Sequence, residues 1–272
     1  MIKQAIIPLA GLGTRLLPLT SVLPKELLPI NGKPGLEYII EECINAGIEE
    51  IIFVISTKKK LIKRYFYNDS FYKKIIKKKR NDKRVKYEFS KIKKYKKMIK
   101  FVYQNSPHGT GDAVLKCEKL IKSKYFLLLL PDDLIIKSNC SRAMIKLHKQ
   151  YNSSIIASRK VNKKNVSRWG IFNLKKLNKN NFIIKDVVEK PSNKTAPSNY
   201  AVIGRYILPT KIFKILQTQK PTQDGEIHIT DAIRILLRIK NKFIGHVFAG
   251  KYLDCGTLKG YVNSSIEISN SS

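Results

Sequence analysis

No stretch of this chain is apolar for long. The longest run, Tyr125 to Leu130, falls far short of the roughly 20 residues that cross a bilayer as a helix, which excludes a membrane partner of that kind. Met1 to Leu9 has a basic residue and an apolar run but lacks a small-residue cleavage site, so it reads as a buried strand and not as a secretion signal. Cysteine is sparse. Cys43, Cys117, Cys140 and Cys255 include no C-x-x-C pair, and four reduced thiols in a cytoplasmic protein are expected. There is no internal repeat and no Pro/Ser linker. A single domain over 1–268 is therefore expected, with halves at about 1–150 and 151–268 and a frayed tail at 269–272. Acidic residues are scarce as well: 20 Asp and Glu stand against 53 Lys and Arg, a formal net charge of +33 over 272 residues. Lys58 to Lys100 alone holds twenty basic residues against three acids. Such a patch can attract nucleic acid or an anionic surface. Here the lysines are scattered over every segment, and Tyr65, Phe66, Tyr72 and Tyr95 keep the helical spacing of core contacts. No specific nucleic-acid partner is expected.

What is present alternates. Ile2 to Leu9, Glu50 to Ser56, Lys100 to Gln104, Tyr125 to Leu130 and Ser154 to Ala157 read as strands. Pro34 to Ala46, Asp112 to Lys122 and Ser141 to Tyr151 read as helices. In the first helix Ile39, Ile40, Cys43 and Ile44 share a face, and Gly47 supplies the stop. Continuous apolar strands suit a sheet buried on both faces. The alternation predicts an α/β fold with a doubly wound, mostly parallel mixed sheet flanked by helices. In such sheets ligands sit beyond the carboxyl ends of the strands, and two loops there carry chemistry. Gly11-Leu12-Gly13-Thr14-Arg15 offers backbone N–H groups and a guanidinium fork to phosphate, and Lys25 adds a second positive point. Neither a third glycine nor a Gly-Lys-Ser/Thr step follows, which excludes a dinucleotide fingerprint and a kinase-type P-loop. Pro131-Asp132-Asp133 ends an apolar strand, where a carboxylate has no packing reason to be.

The stretch Gly11-Leu12-Gly13-Thr14-Arg15-Leu16-Leu17-Pro18-Leu19-Thr20, followed by Pro24-Lys25-Glu26-Leu27-Leu28-Pro29, resembles the signature of the sugar-phosphate nucleotidyltransferases. Within them the likeness is to the bacterial branch that joins glucose 1-phosphate to UTP, and it continues to about Ile266. The resemblance implies a Rossmann-like nucleotidyltransferase fold, with a nucleotide-binding first half and a sugar-phosphate-binding second half. It implies uridylyl transfer that yields UDP-glucose and pyrophosphate in the cytoplasm, with Mg2+ as cofactor and a homo-oligomer, dimer or tetramer, as the working form.

The same resemblance distributes roles. Arg15, Lys25 and Lys190 would act on the phosphates, with Leu12, Gly13 and Thr14 around them. Gln104 and Gly109, in Gln104-Asn105-Ser106-Pro107-His108-Gly109-Thr110-Gly111-Asp112-Ala113, would read the base, an amide offering a donor and an acceptor together. Asp132 and Asp254 would hold the metal, an ion that takes one or two protein carboxylates; strand alternation points Asp133 the other way. Glu189, Gly170 and Asn199 would meet the sugar. In-line displacement between two anions needs charge neutralisation and alignment and no general base. The chain departs from the resembled pattern at His108, at Asp112, and at Ser158-Arg159-Lys160-Val161. The run Gly109-Thr110-Gly111-Asp112-Ala113 leans toward adenylyl-transferring cousins. Transfer from another nucleoside triphosphate, or a catalytically weak regulatory homologue, stand as alternatives.

Overall fold

Gln4 to Pro8 forms β1, an apolar strand covered on both faces, as its composition predicts. A computed structural model describes residues 1–79 and 82–271 of the chain. After β1 a long loop passes through the short strands β2 (Pro29–Ile30) and β3 (Lys33–Pro34) into α1 (Gly35–Asn45). Gly47 turns the chain out of that helix at φ +83°. β4 (Glu50–Ile55) follows, then α2 (Lys60–Tyr67), α3 (Asp69–Lys78) and α4 (Lys83–Met98). These three helices carry the lysine-rich region. They bury Ile62, Phe66, Phe89, Ile92 and Tyr95 and leave most of their lysines in solvent. Of the aromatics singled out, Phe66 and Tyr95 are core and Tyr65 and Tyr72 pack half-buried against it, while Tyr67, Phe71 and Tyr87 are exposed.

β5 (Ile99–Tyr103) forms the edge of this half, and α5 (Gly109–Leu115) comes next. That helix is earlier and shorter than the one expected over 112–122. The chain leaves it after Leu115 and makes only a 3-10 turn at Glu118–Leu120. The side chain of Gln4 donates to Leu120 O (2.8 Å) and accepts from the Lys122 N–H (2.7 Å). This ties the segment to the start of β1, where a continued helix could not reach. The order then runs β6 (Tyr125–Leu129), β7 (Asp133–Ile136), α6 (Cys140–Tyr151), β8 (Ser154–Lys160), β9 (Ile171–Lys176), β10 (Asn181–Val188) and β11 (Tyr200–Pro209). It ends with α7 (Ile212–Thr218), α8 (Ile229–Arg238), β12 (Phe243–Val247), β13 (Lys251–Asp254) and α9 (Leu258–Ser269). The stretch expected to fray begins inside α9: Ser269 closes the helix, and the Asn270 and Ser271 amides bond back into it. Ser272 lies outside the described residues.

Nine strands form one sheet in the order β5-β4-β1-β6-β11-β8-β12-β10-β9. β5, β4, β1 and β6 are mutually parallel. Beyond them the sheet is mixed: β11 runs antiparallel to β6 and β8, β12 parallel to β8, and β10 and β9 antiparallel. The two halves of the chain therefore share one sheet through the β6–β11 pairing. One face is covered by α1, α6 and the lysine-rich helices, around Ile7, Ile39, Phe53, Phe66 and Met144. The other is covered by α5, α7 and α8, around Val54, Val114, Phe126, Phe213 and Ile233. Because β1, β5 and β6 are parallel, the segments after Pro8, Tyr103 and Leu129 all emerge at one edge.

Candidate active site

The loop after β1 is shaped by Gly13, which sits in the left-handed region at φ +72°. Its carbonyl accepts from Thr20 Oγ1 at 2.9 Å, and an added Cβ would lie 3.1 Å from the Thr20 methyl. Arg15 projects from this turn into solvent, and its guanidinium makes no hydrogen bond or ion pair among the described residues. Lys25 is held inward, its Nζ 2.8 Å from Asp132 Oδ2. Burial alone would lower the Lys25 pKa, but the charges of Asp132 and Glu26 outweigh it and hold the ammonium above its ordinary value. Burial would raise Asp132, but Lys25 outweighs it and holds the carboxyl below the usual range. The pair is thus fully ionised at neutral pH. Beneath it, buried Glu26 accepts from Lys59 Nζ at 2.8 and 2.9 Å.

The two metal-site candidates come together. β7 and β13 pair antiparallel with Asp133 opposite Asp254, and the Cys255 N–H donates to Asp132 O at 2.8 Å. Gly256 lies between the carboxylates. Its missing Cβ would be 3.0 Å from Asp132 Oδ2 and 3.2 Å from Asp254 Oδ1. Two carboxylates either side of Gly256 are the hard oxygen donors that Mg2+ takes together with water. Each acid meets a base: Asp132 meets Lys25, and Asp254 Oδ2 meets Arg168 Nη2 at 3.0 Å. Asp133 turns away, as strand alternation requires. It accepts from Tyr252 Oη (2.6 Å) and the Gly204 N–H (2.8 Å), and burial followed by the Asp132 charge pushes its carboxyl up to about 6.

Sequence reasoning gave no role to the residue that fixes this loop. Arg205 on β11 is fully buried. Its Nη1 donates to Leu130 O (3.1 Å) and its Nη2 to Asp133 O (2.6 Å), the carbonyls that flank the Pro131-Asp132 step. Glu42 on α1 balances it, accepting from Arg205 Nε and Nη2 at 2.8–3.1 Å.

At the end of β5, Gln104 is buried, and its Nε2 donates to Gly109 O (3.1 Å) and Asp112 Oδ2 (2.7 Å). Gly109 has φ +89°, and a Cβ there would meet Ile227 O at 2.8 Å. The loop is laced to the segment before α8: the Gly111 N–H donates to Ile227 O, and the Ile227 N–H to His108 O. This gives Gly225-Glu226-Ile227-His228 a concrete role, bracing the loop that holds Gln104. The His108 side chain is exposed.

β10 delivers Glu189 and Lys190 just beyond Val188. Lys190 adopts φ +44°, rare for a residue with a Cβ, and its N–H donates to Trp169 O at 3.1 Å. Its side chain has no bonded partner among the described residues. Glu189 Oε2 accepts from Thr230 Oγ1 (3.1 Å), and a Cβ on Gly170 would also lie 3.1 Å from it. Gly170 therefore lies directly against the Glu189 carboxylate.

A cleft of about 480 Å³ unites these parts. It is lined by Gly13, Thr14, Arg15, Lys25, Gln104, Gly109, Asp132 and Lys190. Gly256 on its wall separates Asp132 from Asp254. Five expected residues do not line it: Leu12, Gly170, Glu189, Asn199 and Asp254, the last lining a neighbouring pocket with Arg168 and Trp169. Leu12 is 56% exposed on the outer side of its turn. Asn199 is tied to the β8 end: its Nδ2 donates to Val161 O at 3.1 Å, and the Val161 N–H donates to its carbonyl.

Residues 4–271 match the nucleotidyl transferase family. The chain belongs to that family. A nucleotidyl transferase from Staphylococcus saprophyticus, named UTP–glucose-1-phosphate uridylyltransferase 2, is 38% identical over 98% of this chain and 91% of its own length. A solved UDP-glucose pyrophosphorylase complexed with UDP-glucose matches all of both chains at 36% identity with a TM-score of 0.87. A UTP-bound enzyme of the same kind from Acinetobacter baumannii, 30% identical, covers all of this chain and 95% of its own with a TM-score of 0.90. The mixed α/β sheet of this nucleotidyl transferase is thus the fold its relatives share.

Proposed function

We propose that this chain transfers the uridylyl group of UTP to glucose 1-phosphate, giving UDP-glucose and pyrophosphate, in the cytoplasm. One observation carries the reading. Three cations, Arg15, Lys25 and Lys190, border a single cleft with Asp132 and Gln104, and Asp254 approaches Asp132 across Gly256 on the cleft wall. The names of the relatives at 36–38% identity point to the same substrates. None of the helices among the described residues is long and apolar enough to cross a membrane.

The attacking phosphate of glucose 1-phosphate is already an anion, so the chain supplies no general base. Its task is to let two anions approach in line. Arg15, with the Gly13 and Thr14 backbone, would receive the departing pyrophosphate. Lys25 would face the same phosphates from inside the cleft. Lys190, from the opposite wall, would bridge the attacking phosphate and the α-phosphate of UTP. Glu189, oriented by Thr230 and backed by Gly170, would accept hydrogen bonds from sugar hydroxyls. Asp132 and Asp254 would hold a divalent cation, Mg2+ in this reading, whose positive charge between phosphate oxygens is the chemistry it supplies.

Pyrophosphate release with glucose 1-phosphate, run in parallel with UTP, TTP, CTP and ATP, tests the reading. Release with UTP is expected, and silence with all four nucleotides would overturn it. Lys190→Ala should lower turnover roughly a hundredfold, as loss of a donor to developing charge does. Near-normal turnover would remove Lys190 from the reaction.

A further inference from the structure

Gln104 is more constrained than a free carboxamide. Both partners of its Nε2 are acceptors only: the Gly109 carbonyl at 3.1 Å and the Asp112 carboxylate at 2.7 Å. A flipped amide would set its oxygen against two oxygens inside a buried pocket, with Gln104 only 5% and Asp112 only 8% exposed. The orientation therefore follows from the chemistry of the neighbours. Asp112 is itself held. It sits on α5 with Lys116 Nζ 3.5 Å from its other oxygen, and the loop before it is bonded on both sides to Ile227. With the NH2 group engaged, what Gln104 offers the cleft it lines is Oε1, which takes no hydrogen bond among the described residues and is not sealed from solvent.

We propose that Asp112 is a positioning residue for base selection: it locks the Gln104 carboxamide so that only its carbonyl oxygen faces the nucleotide. A locked acceptor pairs with a ring N–H. Uracil and thymine carry one at N3; cytosine carries a lone pair at N3, and adenine a lone pair at N1. With the base held so that its ring nitrogen meets Oε1, the lock accepts UTP and TTP on the same footing and sets lone pair against lone pair for CTP and ATP. The inference deepens the proposed function and rests on its placement of the base at Gln104.

The test compares UTP with CTP in the wild type, Asp112→Ala and Asp112→Asn, by pyrophosphate release and, separately, by calorimetric binding of each nucleotide without sugar phosphate. Wild type should prefer UTP roughly a hundredfold, the scale of a buried polar group left facing the wrong partner. Asp112→Ala frees the amide to turn its NH2 toward cytosine N3, so the UTP/CTP ratio should fall by about tenfold or more, largely through better use of CTP. Asp112→Asn keeps an acceptor oxygen toward Nε2 and should restore the ratio. If Asp112→Ala weakens UTP and CTP equally, Asp112 only supports the loop and the proposal fails, whatever the enzyme's activity. If the binding ratio shifts as stated while no nucleotide reacts with glucose 1-phosphate, the base selection stands and the proposed reaction falls.

Discussion

Glu42→Gln is nearly isosteric, and the structure says it should be severe. Glu42 is 8% exposed and Arg205 is completely buried. The carboxylate receives Arg205 Nε and Nη2 on both oxygens, and the Ser141 N–H and Oγ on Oε1. A glutamine keeps one acceptor and turns two N–H donors toward a guanidinium that has only donors. It also leaves the arginine charge uncompensated in the core. Breaking one partner of such a pair costs about 3–5 kcal/mol, a large part of the roughly 5–15 kcal/mol that holds a domain folded. For a chain of this size that corresponds to a fall in Tm of roughly 6–20 °C. Urea and thermal denaturation measure it directly, and a loss below about 1 kcal/mol would refute the assignment of this pair. The double variant Glu42→Leu with Arg205→Met separates two roles. It removes both buried charges, so much of the stability should return. The Leu130, Gly204 and Asp133 carbonyls remain without their Arg205 donor, so pyrophosphate release should stay low.

Asp132→Ala should abolish pyrophosphate release even as Mg2+ is raised well above the level that saturates wild type; recovery at high Mg2+ would argue against direct metal support. Gly109→Ala must place a Cβ 2.8 Å from Ile227 O at φ +89°, which should cost about 1–3 kcal/mol in urea unfolding and raise the KM for UTP more than it lowers kcat. Glu50 tests acid stability. Burial raises its carboxyl, but hydrogen bonds from Lys100 and Gln4 outweigh it, and the net value lies below the ordinary 4.5. Its contribution is therefore present above pH 4.5 and lost as pH falls through the lowered value. The stability gap between wild type and Glu50→Gln should narrow as pH falls below 4.5 and close once pH is below the lowered value. A gap that persists there would show that the carboxylate's charge is not its source.

The sequence made the loops legible because ligand-facing residues in an α/β sheet sit where an apolar strand ends, and that boundary is local. Gly13, Arg15, Gln104, Asp132 and Lys190 each lie shortly after such a boundary, and one cleft gathers them with Lys25. Asp133 was legible too, because alternation along a strand fixes which neighbour turns away. Leu12 and Asn199 do not reach the cleft for local reasons: Leu12 is exposed on its turn, and the Asn199 side chain is engaged by the Val161 carbonyl. The mostly parallel sheet was foreseen from apolar runs. Those runs report burial on both faces and are blind to strand direction, so the antiparallel insertion of β11 between β6 and β8 left no trace in them.

What remained illegible is the set of groups that hold the ligand-facing residues in place, and chain distance explains why. Lys59 grips Glu26 across 33 residues, and Arg205 grips Glu42 across 163. Helix and strand periodicities span a few residues and cannot register either pairing. Arg205 is also hidden by its setting, since every residue from Ala201 to Pro209 is buried and the strand reads as ordinary core. A cation there is costly unless it is paired and bonded. A fully buried arginine in an apolar strand is therefore itself a signal that a carboxylate and several carbonyls must converge on it. Had that reasoning been applied to Gly204-Arg205-Tyr206, it would have called for an acid from another element and for backbone acceptors nearby. Glu42 and the carbonyls around Asp132 are what meets that demand. The same physics that makes the residue invisible to hydrophobic patterning makes it the brace of the loop that carries Asp132.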